Sequence, residues 1–250
     1  MTENPSIRHF EWQNGLLFDD SAAAYPSRLH ALVGDRMFDL NEGSTYFVYQ
    51  FEGCCWIDSR YPLLKGHFAC CTEQQDYLRG SADCQAIIIE RIGTKGVFHL
   101  GGPIEPAGRL KYIDGCTDSL LIAPWKLGEP CLNHLHFPQH IEQTMHTHPS
   151  IRIGLVARGA GECVTPFGNI PLVPGRLFAI LPENGSTAAG LDGEQHPEGS
   201  HCFRTFRDTM DVIAFHPDSD FGPTDEEHPM INRTIVNGTS ARFLEEIRTK

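Results

Sequence analysis

The apolar residues of this chain come in short runs broken by turn formers, and that punctuation limits the fold more than any other feature. Six runs stand out: TYFVYQF (45–51), QAIIIERI (85–92), SLLIAPW (119–125), IRIGLVA (151–157), RLFAILP (176–182) and DVIAFHP (211–217). All are of strand length, and most are bounded by Gly, Pro, Asp or Asn, which supply the backbone conformations of tight turns. With 24 Gly and 17 Pro in 250 residues, turns can be closed along the whole length. Apolar spacing at 3.6 residues is nearly absent. The best helix candidate is the tail from Ser240 to Thr249, where Phe243, Leu244 and Ile247 share one face, with a second short candidate at 20–33. The expectation is an all-β chain with a short C-terminal helix.

No long linker interrupts the pattern. A seam near 125–131 (WKLGEPC) divides the chain into comparable halves, which predicts two related β-units, 1–127 and 128–250. Twenty basic against 32 acidic residues leave a net charge of −12, which repels phosphate backbones and argues against a nucleic-acid partner. No apolar run reaches the roughly 18 residues of a membrane helix. The first residues, MTENPSIRHFEWQNG, lack the basic-then-apolar order of a signal peptide, so a cytoplasmic location is expected. There, the nine cysteines read as reduced, mostly buried thiols. The adjacent pairs Cys54-Cys55 and Cys70-Cys71 fit strands with one Cys on each face; binding of a soft metal is the alternative.

Histidine is the unusual residue. There are 13, five of them between His134 and His148, with others at 196, 201, 216 and 228. The centre is His146-Thr147-His148. On a strand, i and i+2 point to the same side, so two imidazoles would stand together as candidate metal ligands. By the same parity Arg152 faces their cavity. A guanidinium cannot ligate a metal, because it stays protonated and has no free lone pair. Beside a dication it needs an anion between the two charges, and a substrate carboxylate fits that need.

At these residues the sequence resembles the cupin superfamily. The first cupin motif is G-x5-H-x-H-x3,4-E-x6-G. His146 and His148 match its HxH, Arg152 stands where it has Glu, and Gly159 falls at its last Gly. The second motif is G-x5-P-x-G-x2-H-x3-N, and Gly168 to Pro174 matches its opening. Pro174-Gly175 looks like its turn, and Leu177 to Pro182 like the next strand. A Gly-rich insertion, Asn184 to Gly199, delays the motif's His. The resemblance carries the third ligand onto His201, with His196 as second choice. It covers roughly 128–220 and implies double-stranded β-helix barrels in a bicupin-like pair, the second holding one divalent metal. Fe(II) is favoured; Ni, Mn, Zn and Cu remain open. A homodimer paired through strand edges is also implied.

Further polar residues surround this set. His134 and His136 form a second HxH, read as a network around the site or a structural pair, and alternatively as metal ligands; His134, His136 or Glu142 could also be the base of a lyase or isomerase. Glu142 and Gln143 precede His146 and could supply an oxygen ligand. Arg204 reads as pairing with an outer-surface acid. His216, His228 and Arg233 receive no role. The favoured activity is a dioxygenase acting on a small carboxylate-bearing substrate. The alternatives are a metal-dependent lyase or isomerase of a small polar acid, and a small-molecule-binding barrel without turnover.

Overall fold

A computed structural model describes residues 4–126, 128–219, 235–236 and 239–240. The first half contributes β1 (Ile7–Phe10), β2 (Gly15–Asp20), β3 (Ser27–Val33), β4 (Met37–Asp39), β5 (Ser44–Glu52), β6 (Cys54–Ile57) and β7 (Tyr61–Leu64). It continues with β8 (Phe68–Cys71), β9 (Tyr77–Gly80), β10 (Gln85–Ile92), β11 (His99–Gly101), β12 (Leu110–Lys111) and β13 (Thr117–Ile122). The second half adds β14 (Cys131–Phe137), β15 (His146–Thr147), β16 (Arg152–Val164), β17 (Ile170–Leu172) and β18 (Leu177–Ile180). The last strands are β19 (Thr187–Ala189), β20 (Gln195–Pro197), β21 (Cys202–His216), β22 (Ile235–Val236) and β23 (Thr239–Ser240).

One sheet runs β11-β8-β5-β10-β3-β2 and is faced by a smaller sheet, β4-β9-β6-β7. The other large sheet runs β1-β18-β16-β21-β14-β13-β12, with β17 on β16. Strands β1, β12 and β13, all from the first half of the chain, therefore lie in the second half's sheet. The expected short helix at 20–33 is overturned: Ser27–Val33 is β3, paired with both β2 and β10. Its apolar spacing was strand alternation, with Leu29 and Ala31 on one side. The tail reading meets β23 at Ser240, and 241–250 lie outside the described residues, as do His228 and Arg233.

Three apolar layers follow from the period-2 alternation of side chains. On β10, Ala86 and Ile88 point into the first barrel with Leu32, Val48, Ile57 and Leu78. The intervening Ile87 and Ile89 point out of that barrel and join Phe47, Leu155, Ile213 and Phe215 between the two large sheets. Both faces of the strand are covered, which explains the uninterrupted AIII run. On β21, Met210, Val212 and Ala214 point into the second barrel, with Leu135, Phe137, Phe178 and Phe203. Gly159 sits at the bulged centre of β16 with φ +70°, and a Cβ there would lie 1.8 Å from the Thr209 carbonyl oxygen. Only Gly permits that approach.

Candidate metal centre

The HxH segment is not part of one long strand. Strand β15 ends at Thr147, the chain passes through Pro149, which cannot donate to a ladder, and β16 begins at Arg152. His146 is paired with His201 instead, each backbone N–H donating to the other's carbonyl at 3.0 Å. Direct partners in an antiparallel pair project side chains to the same side, so the third imidazole stands beside the first. The outward Thr147 donates its hydroxyl to Glu183, whose own N–H donates to the His148 carbonyl at 2.7 Å. That contact holds the turn that brings His148 inward.

The three rings lie 4.5 to 5.2 Å apart between centroids, and one donor atom from each falls within 4.8 Å of the others. All three are buried. His146 Nδ1–H donates to the Thr144 carbonyl and His201 Nδ1–H to the Gly199 carbonyl, both at 2.8 Å. Those bonds set the tautomer and leave the Nε2 lone pairs for a ligand. His148 Nδ1 has no hydrogen-bond partner among the described residues. Burial pushes all three imidazoles below their ordinary value, His148 and His201 furthest, so they are neutral near pH 7. A buried, neutral set of three lone-pair donors fits a divalent ion of the imidazole-preferring kind.

Arg152 lines the same cavity and is buried. Its Nη1 donates to Ser150 and, at 3.1 Å, to Asp218, which is itself fully buried. Its Nε and Nη2 have no hydrogen-bond partner among the described residues. An unsatisfied buried cationic donor is costly, so the arrangement calls for an anion. Arg152 thus pairs with a protein acid and still retains donors for a ligand.

Gln143 is also buried in the cavity wall, but its amide oxygen accepts the Phe203 N–H at 3.2 Å. Glu142 points the opposite way, as alternation requires: its side chain is 66% exposed and its carboxylate lies 3.5 Å from Arg204. That corrects the expectation of an oxygen ligand from Glu142. Arg204 pairs mainly with Glu162, an outer acid as expected. His196 is corrected as an alternative third ligand of this set, because it lies apart from the triad on the β19-β20 hairpin with Nε2 2.8 Å from Asp192. His134 and His136 face the first barrel rather than the triad. Both imidazoles donate to Asp211 Oδ1, at 2.7 and 2.9 Å, and Arg158 donates to its Oδ2 at 2.9 Å. They form the network reading of the second HxH, and the sheet separates them from the cavity that an acid or base would have to reach.

His216 was missed. It is buried in the triad cavity, its Nδ1 is 3.5 Å from Asn133 Nδ2, and burial and Arg152 push it well below its ordinary value. The signal was present: His216 has the parity of Val212 and Ala214. Asp118 lies behind Asn133 at 3.4 Å, and burial raises its carboxyl well above the carboxylate range.

No protein-family model and no curated protein sequence matches the chain. Solved structures do. A cupin 2 conserved barrel protein from Leptotrichia buccalis superposes with a TM-score of 0.53 at 12% identity, over 86% of this chain and 90% of that one. Protein Ylba from E. coli gives 0.56 at 13% identity, over 87% and 93%. A mutant of salicylate 1,2-dioxygenase from Pseudoaminobacter salicylatoxidans, in complex with gentisate, gives 0.55 at 8% identity, over 86% and 83%. At these identities the likeness is one of fold: the chain has the all-β, bicupin-like cupin fold. Among the described residues no helix is long and apolar enough to cross a membrane.

Proposed function

We propose that this chain is a metal-dependent cupin enzyme, a non-haem Fe(II) dioxygenase acting on a small carboxylate-bearing substrate. The observation that carries this reading is the convergence on one cavity of three neutral imidazoles and a buried guanidinium, two of whose donors have no partner among the described residues. His146, His148 and His201 would hold the ion, and Fe(II) there would supply oxygen activation. The Thr144 and Gly199 carbonyls keep the Nε2 atoms of His146 and His201 unprotonated. Ser150 and Asp218 fix one end of Arg152, so its remaining N–H groups are preorganised for a carboxylate. Phe137, Phe178 and Phe203 keep the cavity apolar, which strengthens that charge-assisted contact.

His216 supports a second reading, a lyase or isomerase, because a buried neutral imidazole beside Arg152 is placed to take a substrate proton. The nine free cysteines agree with a reducing, cytoplasmic setting, and we read the assembly as a homodimer.

Elemental analysis of tag-free protein purified without chelators under low oxygen tests the proposal. One iron per chain, with oxygen uptake on a small carboxylic acid, is expected. Zinc, nickel, manganese or copper supporting turnover without oxygen would move the assignment to the lyase or isomerase. Metal without turnover would favour a binding barrel, and no metal would overturn the site.

A further inference from the structure

A second cavity lies on the other side of the sheet that borders the triad. Strand β14 turns Leu135 and Phe137 into the metal cavity and His134 to the opposite face. There the segment 102–110 crosses over β13 and is pinned to it. The Gly108 N–H donates to Thr117 Oγ1 at 2.9 Å and the Arg109 N–H to Ser119 Oγ at 3.0 Å. At Gly108 an added Cβ would fall 2.3 Å from the Asp118 nitrogen, so only Gly lets the two backbones approach this closely. Segment and sheet enclose a cleft walled by Phe68, Ile104, Leu110, Leu120 and Leu121. Ser119 and His134 are direct partners across β13 and β14 and line the same cleft. His134 is fully buried, and its Nε2–H donates to Asp211 Oδ1 at 2.7 Å. Its Nδ1 has no hydrogen-bond partner among the described residues. A buried polar atom left unpaired is costly, and the cleft is the side from which a partner can reach it.

We infer that this cleft binds a neutral, mainly apolar hydroxyl compound, a phenol or an alcohol, with its O–H on His134 Nδ1. A hydroxyl answers that atom in either form of the ring, since it donates to an imidazole lone pair and accepts from an imidazolium N–H. Ser119 Oγ, which accepts the Arg109 N–H, has its own hydrogen to give to the hydroxyl oxygen. The charges around the site are already matched. Arg109 Nε donates to Glu105 at 2.7 Å, and Arg158 Nε donates to Asp211 at 2.9 Å. A charged guest would lose its hydration without gaining a counter-ion, whereas the half-buried Ile104, Leu110, Leu120 and Leu121 suit an apolar body. The cleft shares no lining residue with the triad cavity, so the inference stands apart from the metal-centre reading.

Calorimetric titration of the metal-free full chain with phenol, cyclohexanol, toluene and benzoate tests this. Toluene puts a methyl where phenol has its hydroxyl, and benzoate adds a charge. Saturation at one phenol or cyclohexanol per chain is expected, at least about tenfold tighter than toluene or benzoate, because toluene would leave the buried nitrogen unpaired. His134→Phe keeps a ring and leaves Asp211 with His136 and Arg158; it should bring phenol level with toluene. Leu120→Trp fills the cleft and should abolish the binding of both. His148→Ala, on the other side of the sheet, should bind phenol as the wild type does. If the His134 and Leu120 variants do not fold, nuclear Overhauser contacts from phenol to the methyls of Leu110, Leu120 and Leu121 in the wild type decide the location. Toluene or benzoate as tight as phenol, or no saturation by either hydroxyl compound, overturns the inference. Phenol binding that survives Leu120→Trp and is lost in His148→Ala would put the guest in the metal cavity and overturn it as well.

Discussion

Inside the first barrel, the inward positions of β5 and β10 carry Tyr46, Val48, Ala86 and Ile88, packed with Cys55, Cys71 and Cys84. Inside the second, Phe137, Val212 and Ala214 share the interior with four imidazoles and a guanidinium. The two interiors are built from the same alternation, and each backs its large sheet onto the same middle layer. The thiols of the first do not make it a second site. Burial holds Cys55 and Cys71 far above the ordinary thiol value, and Cys70 faces the middle layer while Cys71 faces the barrel. The vicinal pairs are therefore the two faces of strands. The difference teaches that this fold supplies a wall and a mouth, and that function enters through a few inward side chains bordering them.

The largest expected effect separates the two interiors by metal. His148→Ala should lower metal affinity by at least ~100-fold, since even groups that only support a ligand are worth 10–100-fold. Circular dichroism should be unchanged. Metal content per chain after dialysis checks it, and full occupancy in the variant would end the assignment of His148. The mirror change lies in the first barrel. Ile88 is fully buried, and Ile88→Ala should cost about 2–5 kcal/mol of stability by leaving a cavity. Denaturant melts give that figure, and metal affinity should not move. Loss of metal binding in this variant would show that the first barrel shapes the site.

Protonation gives the next contrast. His146, His148, His201 and His216 are all held below their ordinary value of 6.5 in the folded apo-protein. Below that pH the unfolded chain binds protons that the folded chain refuses, so apo stability falls as pH drops from 6.5 towards the native values. Asp118 works against this, because its raised value makes the folded state keep a proton that the unfolded state has released. Asp20, also raised by burial, opposes in the same sense, and two opposing carboxyls against four imidazoles leave a net loss towards acid. In the first barrel Glu90 is lowered to about 2, chiefly by its hydrogen bond from His30. Its stabilisation is complete above about 4.5 and lost as pH falls towards 2. Urea melts of metal-free protein from pH 8 to 5 should show declining stability. A flat profile there would mean that the triad is not buried and neutral in solution.

The strand character of the chain was legible because alternation and turn residues are local. The six apolar runs fall on β5, β10, β13, β16, β18 and β21. His146, His148 and Arg152 were legible by parity, although the strand breaks at Pro149, because the turn restores the inward direction. His201 came through the resemblance, and its bridge to His146 spans 55 positions that no local pattern encodes. Asp218 was beyond reach for the same reason: nothing near Arg152 in sequence points to an acid 66 residues away. Glu142 and His196 were misplaced because nearness in sequence stood in for direction. One residue of offset from Gln143 turns Glu142 to the outer surface, and a hairpin of its own carries His196 away.

Glu142 also supplies the smallest expected effect, and it tests the boundary between cavity and surface. Its carboxylate shares Arg204 with Glu162, and Glu162 makes the closer contact, so removing the Glu142 charge leaves the arginine paired. Exposed pairs of this kind contribute little, and Glu142→Gln should change stability by less than about 0.5 kcal/mol. Metal affinity and its pH dependence should match wild type, because the side chain leaves the barrel on the face opposite His146. Isothermal titration with Co(II) and a denaturant melt on the same preparation measure both. A tenfold loss of metal affinity would place the carboxylate at the ion. The triad would then have to be redrawn as a three-His, one-carboxylate set, with the surface position of Glu142 belonging to the metal-free protein alone.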